Sequence, residues 1–105
     1  MDDLDVLADE HLAAARADPH GRSAHLLLRR RPLRQAVIAL TGGTALDEHN
    51  APPAASLQVL RGAVRVTAGS GDVDLAAGVL HPLPQERHGV LALEDAVVLL
   101  TAVND

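Results

Sequence analysis

The fold is decided by the run Gly43-Thr44-Ala45-Leu46-Asp47-Glu48-His49, the Asn50-Ala51-Pro52-Pro53 break, Ser56-Leu57-Gln58-Val59-Leu60-Arg61-Gly62, and Ala63-Val64-Arg65-Val66-Thr67-Ala68 closed by Gly69-Ser70-Gly71-Asp72. Its apolar runs are too short for helices. Glycine and proline clusters bound them, and Val64 and Val66 alternate with Arg65 and Thr67. Period two with frequent turn signals describes half-buried antiparallel strands.

Working outward, the same punctuation predicts strands over Ser23 to Leu28 and Leu33 to Thr41, separated by Arg29-Arg30-Arg31-Pro32. Further strands are expected over Thr44 to His49, Ala55 to Leu60, Ala63 to Ala68, Val73 to Ala76, Val79 to Leu83, His88 to Leu93 and Ala96 to Val103. Many short strands with regular turns argue for a sandwich or barrel. Only the beginning differs. Leu4, Leu7, Ala8, His11, Leu12 and Ala15 recur at helical spacing, acids occupy the opening turn, and Asp18-Pro19-His20-Gly21 stops the pattern. The expectation is an all-β antiparallel barrel over residues 22–105, preceded by one helix and turn over 1–21, in a single domain of 105 residues.

Composition narrows the chemistry. The chain has no Cys, which removes disulfides, thiol catalysis and thiolate metal sites. It has no Phe, Trp or Tyr, and its nine basic residues are all Arg. Base stacking, Schiff-base chemistry and a phosphate-loop lysine are therefore unavailable. A high-GC codon bias would deplete the same residues. With 14 Asp plus Glu the formal charge is -5, which speaks against a nucleic-acid partner. No apolar run approaches the roughly 20 residues of a membrane-spanning helix, and the acidic start Met1-Asp2-Asp3-Leu4-Asp5 is unlike a basic leader, so no membrane and a cytoplasmic location are expected. Val97-Val98-Leu99-Leu100 is apolar on both faces, so this strand is either central with both faces covered or part of a subunit interface. A core without aromatics buries less area per residue. A homodimer is expected on these two grounds.

Gly43 through His49, Pro52-Pro53 and Ser56 through Gly62 resemble the first motif of the cupins, and Gly71 through Ala77-Gly78 with Leu83-Pro84-Gln85-Glu86-Arg87-His88 is similar to the second. With Gly21-Arg22-Ser23 and Leu33 through Leu40, the chain looks like a group of small bacterial single-domain cupins of the RmlC-like kind. The resemblance implies a jelly-roll barrel and no established substrate. It also implies a metal motif of three His and a Glu, a set suited to a divalent transition metal. Here His49 takes the first slot and His88 the last, whereas Ala51 and Ala55 stand where the second His and the Glu would be.

Two functions follow from different classes. In one, the barrel binds or senses a small-molecule ligand in a pocket including His49, His88, His25, Gln35 and Gln58. Strict alternation puts Gln58 opposite Ala55, Leu57 and Val59, so only a bulge would turn it inward. In the other, His49 and His88 are ligands of a catalytic metal in a dioxygenase- or isomerase-like enzyme. His81 is a further candidate at the barrel mouth. Ser23, His25 and Asp18 are too close in sequence to converge as a triad. Gly69 through Asp72 reads as a hairpin turn, since no lysine or helix follows it. Arg29-Arg30-Arg31 with Arg34 either meets an anion or is a solvated turn.

Overall fold

The computed structural model describes residues 1–103, and for Glu48 and His49 the backbone alone. Helix α1 (Leu4–Ala17) begins where the Asp3 carboxylate accepts hydrogen bonds from the Asp5 and Val6 N–H groups. That cap starts the helix at Leu4, the first residue of the helical periodicity. At its other end the Asp18 carboxylate accepts from the N–H groups of His20 and Arg22, which turns the chain into the first strand.

Among the described residues nine strands follow: β1 (Arg22–Arg30), β2 (Leu33–Leu40), β3 (Ala45–His49), β4 (Ala54–Arg61), β5 (Ala63–Ala68), β6 (Val73–Ala76), β7 (Leu80–Pro82), β8 (His88–Ala92) and β9 (Ala96–Val103). They form two antiparallel sheets, one in the order β1-β2-β9-β4-β7 and the other in the order β3-β8-β5-β6. The architecture is mostly β with one N-terminal helix. The expected closed barrel is corrected in one respect: among the described residues no strand ladder joins the two sheets. Chain corners hold them face to face instead. The sharpest is Gly62, the single residue between β4 in one sheet and β5 in the other, with φ of +71°.

Side-chain parity sorts the core into two layers. Leu40, Leu57, Val59, Val64, Val66, Leu75, Val90, Ala92 and Val98 pack between the sheets. Val37, Ala39 and Val97 lie on the outer face of the five-stranded sheet, where Ala8 and Ala15 of α1 cover them and Leu4, Leu12 and Leu99 flank the contact. Two small residues on the helix allow this close approach to the sheet. The doubly apolar β9 thus sits centrally, with the opposite sheet on one face and α1 on the other. The first of its two sequence-based alternatives holds, and no subunit interface is required to cover it. No helix among the described residues is long and apolar enough to cross a membrane.

The two ends of the sandwich differ. At one end Asp95, between β8 and β9, accepts from the Gly42 N–H at 2.9 Å and from Arg16 Nε at 2.8 Å. The Gly42 bond and then Arg16 hold its carboxyl below the usual range. This carboxylate ties α1 and the β2–β3 turn to the β8–β9 turn. At the other end lie the first residues of β2 and β4, the last of β9 and the β3–β4 loop, and there the sheets part.

Candidate functional site

A cavity of about 570 Å³ opens between the sheets at that parted end. Alternation on β2 sends Arg34, Ala36 and Ile38 toward it, while Val37 and Ala39 face the helix. Ala24 and Leu26 of β1, Ala55 of β4, and Leu100 and Ala102 of β9 complete the floor and walls on the five-stranded side. Asn50, Ala51 and Pro52 close it from the β3–β4 loop, Leu83 from the segment after β7, and His88 from β8. The lining is mainly aliphatic, with polar groups confined to a few positions, as in small-molecule sites.

His88 is buried, at 2% exposure, and its placement is determined by a short chain of bonds. Its Nδ1 lies 2.9 Å from the Glu86 carbonyl oxygen, which can only accept, so Nδ1 carries the proton. In the neutral ring, Nε2 is then the lone-pair nitrogen. Glu86 is fixed by its side chain, which accepts from Ser70 Oγ at 2.6 Å and Ser70 N–H at 3.0 Å. The Ser70 hydroxyl, followed by its N–H, lowers the Glu86 pKa below the ordinary carboxylate value. The β5–β6 hairpin therefore steadies the segment that orients His88.

The remaining sequence candidates disperse. Position 49 pairs directly with position 88 across the β3–β8 ladder, but the His49 side chain lies outside the described residues. His25 borders the cavity through its strand, while its ring stands against His11 of α1, with centroids 5.4 Å apart. Beside it, His11 Nδ1 and Ser23 Oγ are 2.8 Å apart. Gln35 is corrected out of the pocket: it shares the helix-side face with Val37 and donates to Thr101 Oγ1 at 3.2 Å. Gln58 is corrected likewise, because Leu57 and Val59 take the interior positions of β4 and no bulge reverses residue 58. His81 opposes Leu57 on the edge strand β7 and lines a separate, shallower depression with Asp72 and Ser70.

Two further residues line the cavity without having been expected from the sequence. Proximity in sequence groups Arg34 with the neighbouring arginines of the turn, although its two-residue spacing from Ala36 and Ile38 marks the shared face. Asn50 had no signal beyond its position before Ala51.

A four-donor metal centre does not fit these residues. Ala51 and Ala55 line the cavity with methyl groups at the two slots where the resemblance calls for imidazole and carboxylate. Among the described residues, no three His, Asp or Glu side chains gather.

A two-layer antiparallel sandwich with a helix on one face and an apolar cavity at one end defines a small all-β fold class. Solved structures identify the fold more closely. The chain is similar to a conserved protein of unknown function from Streptococcus pyogenes, with a TM-score of 0.76 and 24% identity over 84% of this chain and 78% of that one. It is also similar to a cupin superfamily protein from Desulfitobacterium hafniense, with a TM-score of 0.74 and 14% identity over 80% and 78%. The salicylate 1,2-dioxygenase of Pseudoaminobacter salicylatoxidans matches 93% of this chain with 32% of its own, at 17% identity and a TM-score of 0.77. The chain therefore has the cupin fold. No family model and no curated protein matches the sequence.

Proposed function

We propose that this cupin-fold protein binds a small molecule in the cavity between its sheets without transforming it. The observation that carries the reading is the cavity itself: about 570 Å³, aliphatic over most of its wall, with alanine at two positions where the family resemblance calls for metal donors. That volume is in the range of sites for metabolite-sized ligands. We read the sandwich as a jelly roll whose parted end is the ligand entrance.

The chain has a built-in reporter. Ile38 is its single isoleucine and lines the cavity, so δ1-methyl labelling of isoleucine yields one signal from the site. A small-molecule library should contain compounds that shift this signal, and Ala55→Leu, which fills the cavity wall, should abolish the shift without lowering the melting temperature by more than a few degrees. A library that leaves the Ile38 signal unmoved would overturn the reading.

A second reading, a metal-assisted enzyme with His49 and His88 as ligands, is favoured by the direct pairing of positions 49 and 88 and by the His88 tautomer. Elemental analysis of untagged protein decides between them. Near-stoichiometric divalent metal, lost in both His49→Ala and His88→Ala, supports the enzyme. Its absence after attempted reloading supports the binder.

The proposal includes a homodimer. Its support is the aromatic-free core and the edge strand β7, where Leu80 is 63% exposed, since β9 is already covered within one chain.

A further inference from the structure

We propose that the cavity takes an amphipathic organic anion, with its apolar body inside and its carboxylate held at the rim by Arg34 and Arg29. This inference rests on reading the cavity as a binding site.

Arg34 reaches the rim by simple alternation from Ala36 and Ile38. Arg29 reaches it because β1 carries a bulge. The pairing runs Leu26↔Ala36, then Leu28↔Gln35 and Arg29↔Arg34, so one extra residue is inserted between Leu26 and Leu28. Without it, alternation would put Arg29 on the same face as Ser23 and His25, beside the helix. With it, Arg29 stands directly opposite Arg34, and both line the concave surface that continues from the cavity past Leu26 and Pro52. Bulges re-aim side chains in this way.

The pairing has a cost. Like charges directly opposite on neighbouring strands are destabilising. Elsewhere this acidic chain matches Arg16 to Asp95, Arg61 to Asp5 and Arg65 to Asp74. Among the described residues neither Arg29 nor Arg34 has a carboxylate partner, and Arg31 adds a third guanidinium to the same rim. Two guanidinium groups over an aliphatic cavity match a planar carboxylate on an apolar body. The net charge of -5 repels anions from the surface at large, so a preference for them must come from this site.

The test follows the Ile38 methyl signal during titration with octanoate, octan-1-ol and octylammonium at neutral pH. Octanoate should bind about tenfold more tightly than octan-1-ol, the scale of one charge-assisted contact. Arg34→Gln should reduce octanoate to the affinity of octan-1-ol while leaving octan-1-ol unchanged. Removing the like-charge pair should also leave the unliganded variant at least as heat-stable as wild type. Equal affinities for acid and alcohol, tighter binding of octylammonium, or an anion preference surviving in both Arg34→Gln and Arg29→Gln would overturn the inference while leaving the binding site intact. If none of the three probes moves the Ile38 signal while compounds of the library do, the inference falls and the binding reading stands; if probes and library alike leave it unmoved, both fall.

Discussion

Gly62 lies against the backbone carbonyl of Asp95, so closely that a Cβ at residue 62 would overlap that oxygen and press on Ala96 Cα. The contact is where β4 leaves one sheet and β5 enters the other, beneath the turn that carries the Asp95 carboxylate. Both the positive φ and the missing side chain are needed there.

Gly62→Ala should therefore destabilise the protein by about 3 kcal/mol, combining left-handed strain with a backbone clash. Gly43→Ala is the control. Its φ is +88° but nothing lies within 4 Å of the added methyl, so only the conformational cost of about 1 kcal/mol applies. Urea denaturation of both variants checks the difference, and equal losses would refute the steric account.

Acid should loosen the molecule through Asp95 and Glu86. Both carboxyls have folded pKa values below their ordinary values of 3.8 and 4.5, Asp95 through the Gly42 N–H and then Arg16, Glu86 through the Ser70 hydroxyl and then its N–H. A carboxyl with a depressed folded pKa contributes stability that is complete above its unfolded pKa and is lost as pH falls through the folded one. Melting temperature should accordingly decline below about pH 4.5. The decline should be shallower in Asp95→Asn combined with Glu86→Gln. Parallel curves for wild type and double variant would show that other groups govern acid unfolding.

The helix contact is sensitive to volume. Ala8 and Ala15 are completely buried against β2 and β9, so Ala8→Leu should cost about 1 to 3 kcal/mol by overpacking. Ala14 is exposed on the same helix, and Ala14→Leu should stay within about 0.5 kcal/mol of wild type. Thermal melts of the two variants provide the comparison.

Edge-strand pairing predicts that light scattering will give a dimer mass for wild type and a monomer mass for Leu80→Lys, since a charge on an exposed edge opposes strand addition. A wild-type monomer at micromolar concentration would rule the homodimer out.

Most elements were legible in the sequence because their ends carry explicit chemistry. Arg61-Gly62 and Gly69 through Asp72 bound β5, β6 likewise begins and ends where turn residues place it, and β9 begins after Glu94-Asp95. Strict alternation by itself places Gln58 on the outer face, where the structure has it; its inclusion in the pocket depended on a bulge that the β4–β9 ladder does not have at that residue. Parity failed where the ladder was irregular or where the partner was distant. Nothing local announces the bulge between Leu26 and Leu28 that turns Arg29 to the rim, and nothing near His25 reveals that His11 will lie beside it. Arg34 shows a different failure. Its proximity in sequence to three other arginines masked the two-residue rhythm with Ala36 and Ile38. Barrel closure depends on long-range ladders, which no single segment encodes.

The opposed ends of the sandwich imply that local stability varies along each strand instead of between strands. β2 runs from Arg34 at the parted rim to Leu40 beside the Asp95 clamp, and β9 runs the other way, from Ala96 to Ala102. Amides at the clamped end are expected to exchange with solvent only when the whole domain opens, whereas those at the rim exchange through small local openings. One strand thus carries both the slowest amides in the protein and the amides that a ligand would protect, and their protection factors would separate occupancy of the cavity from stabilisation of the fold in a single exchange experiment.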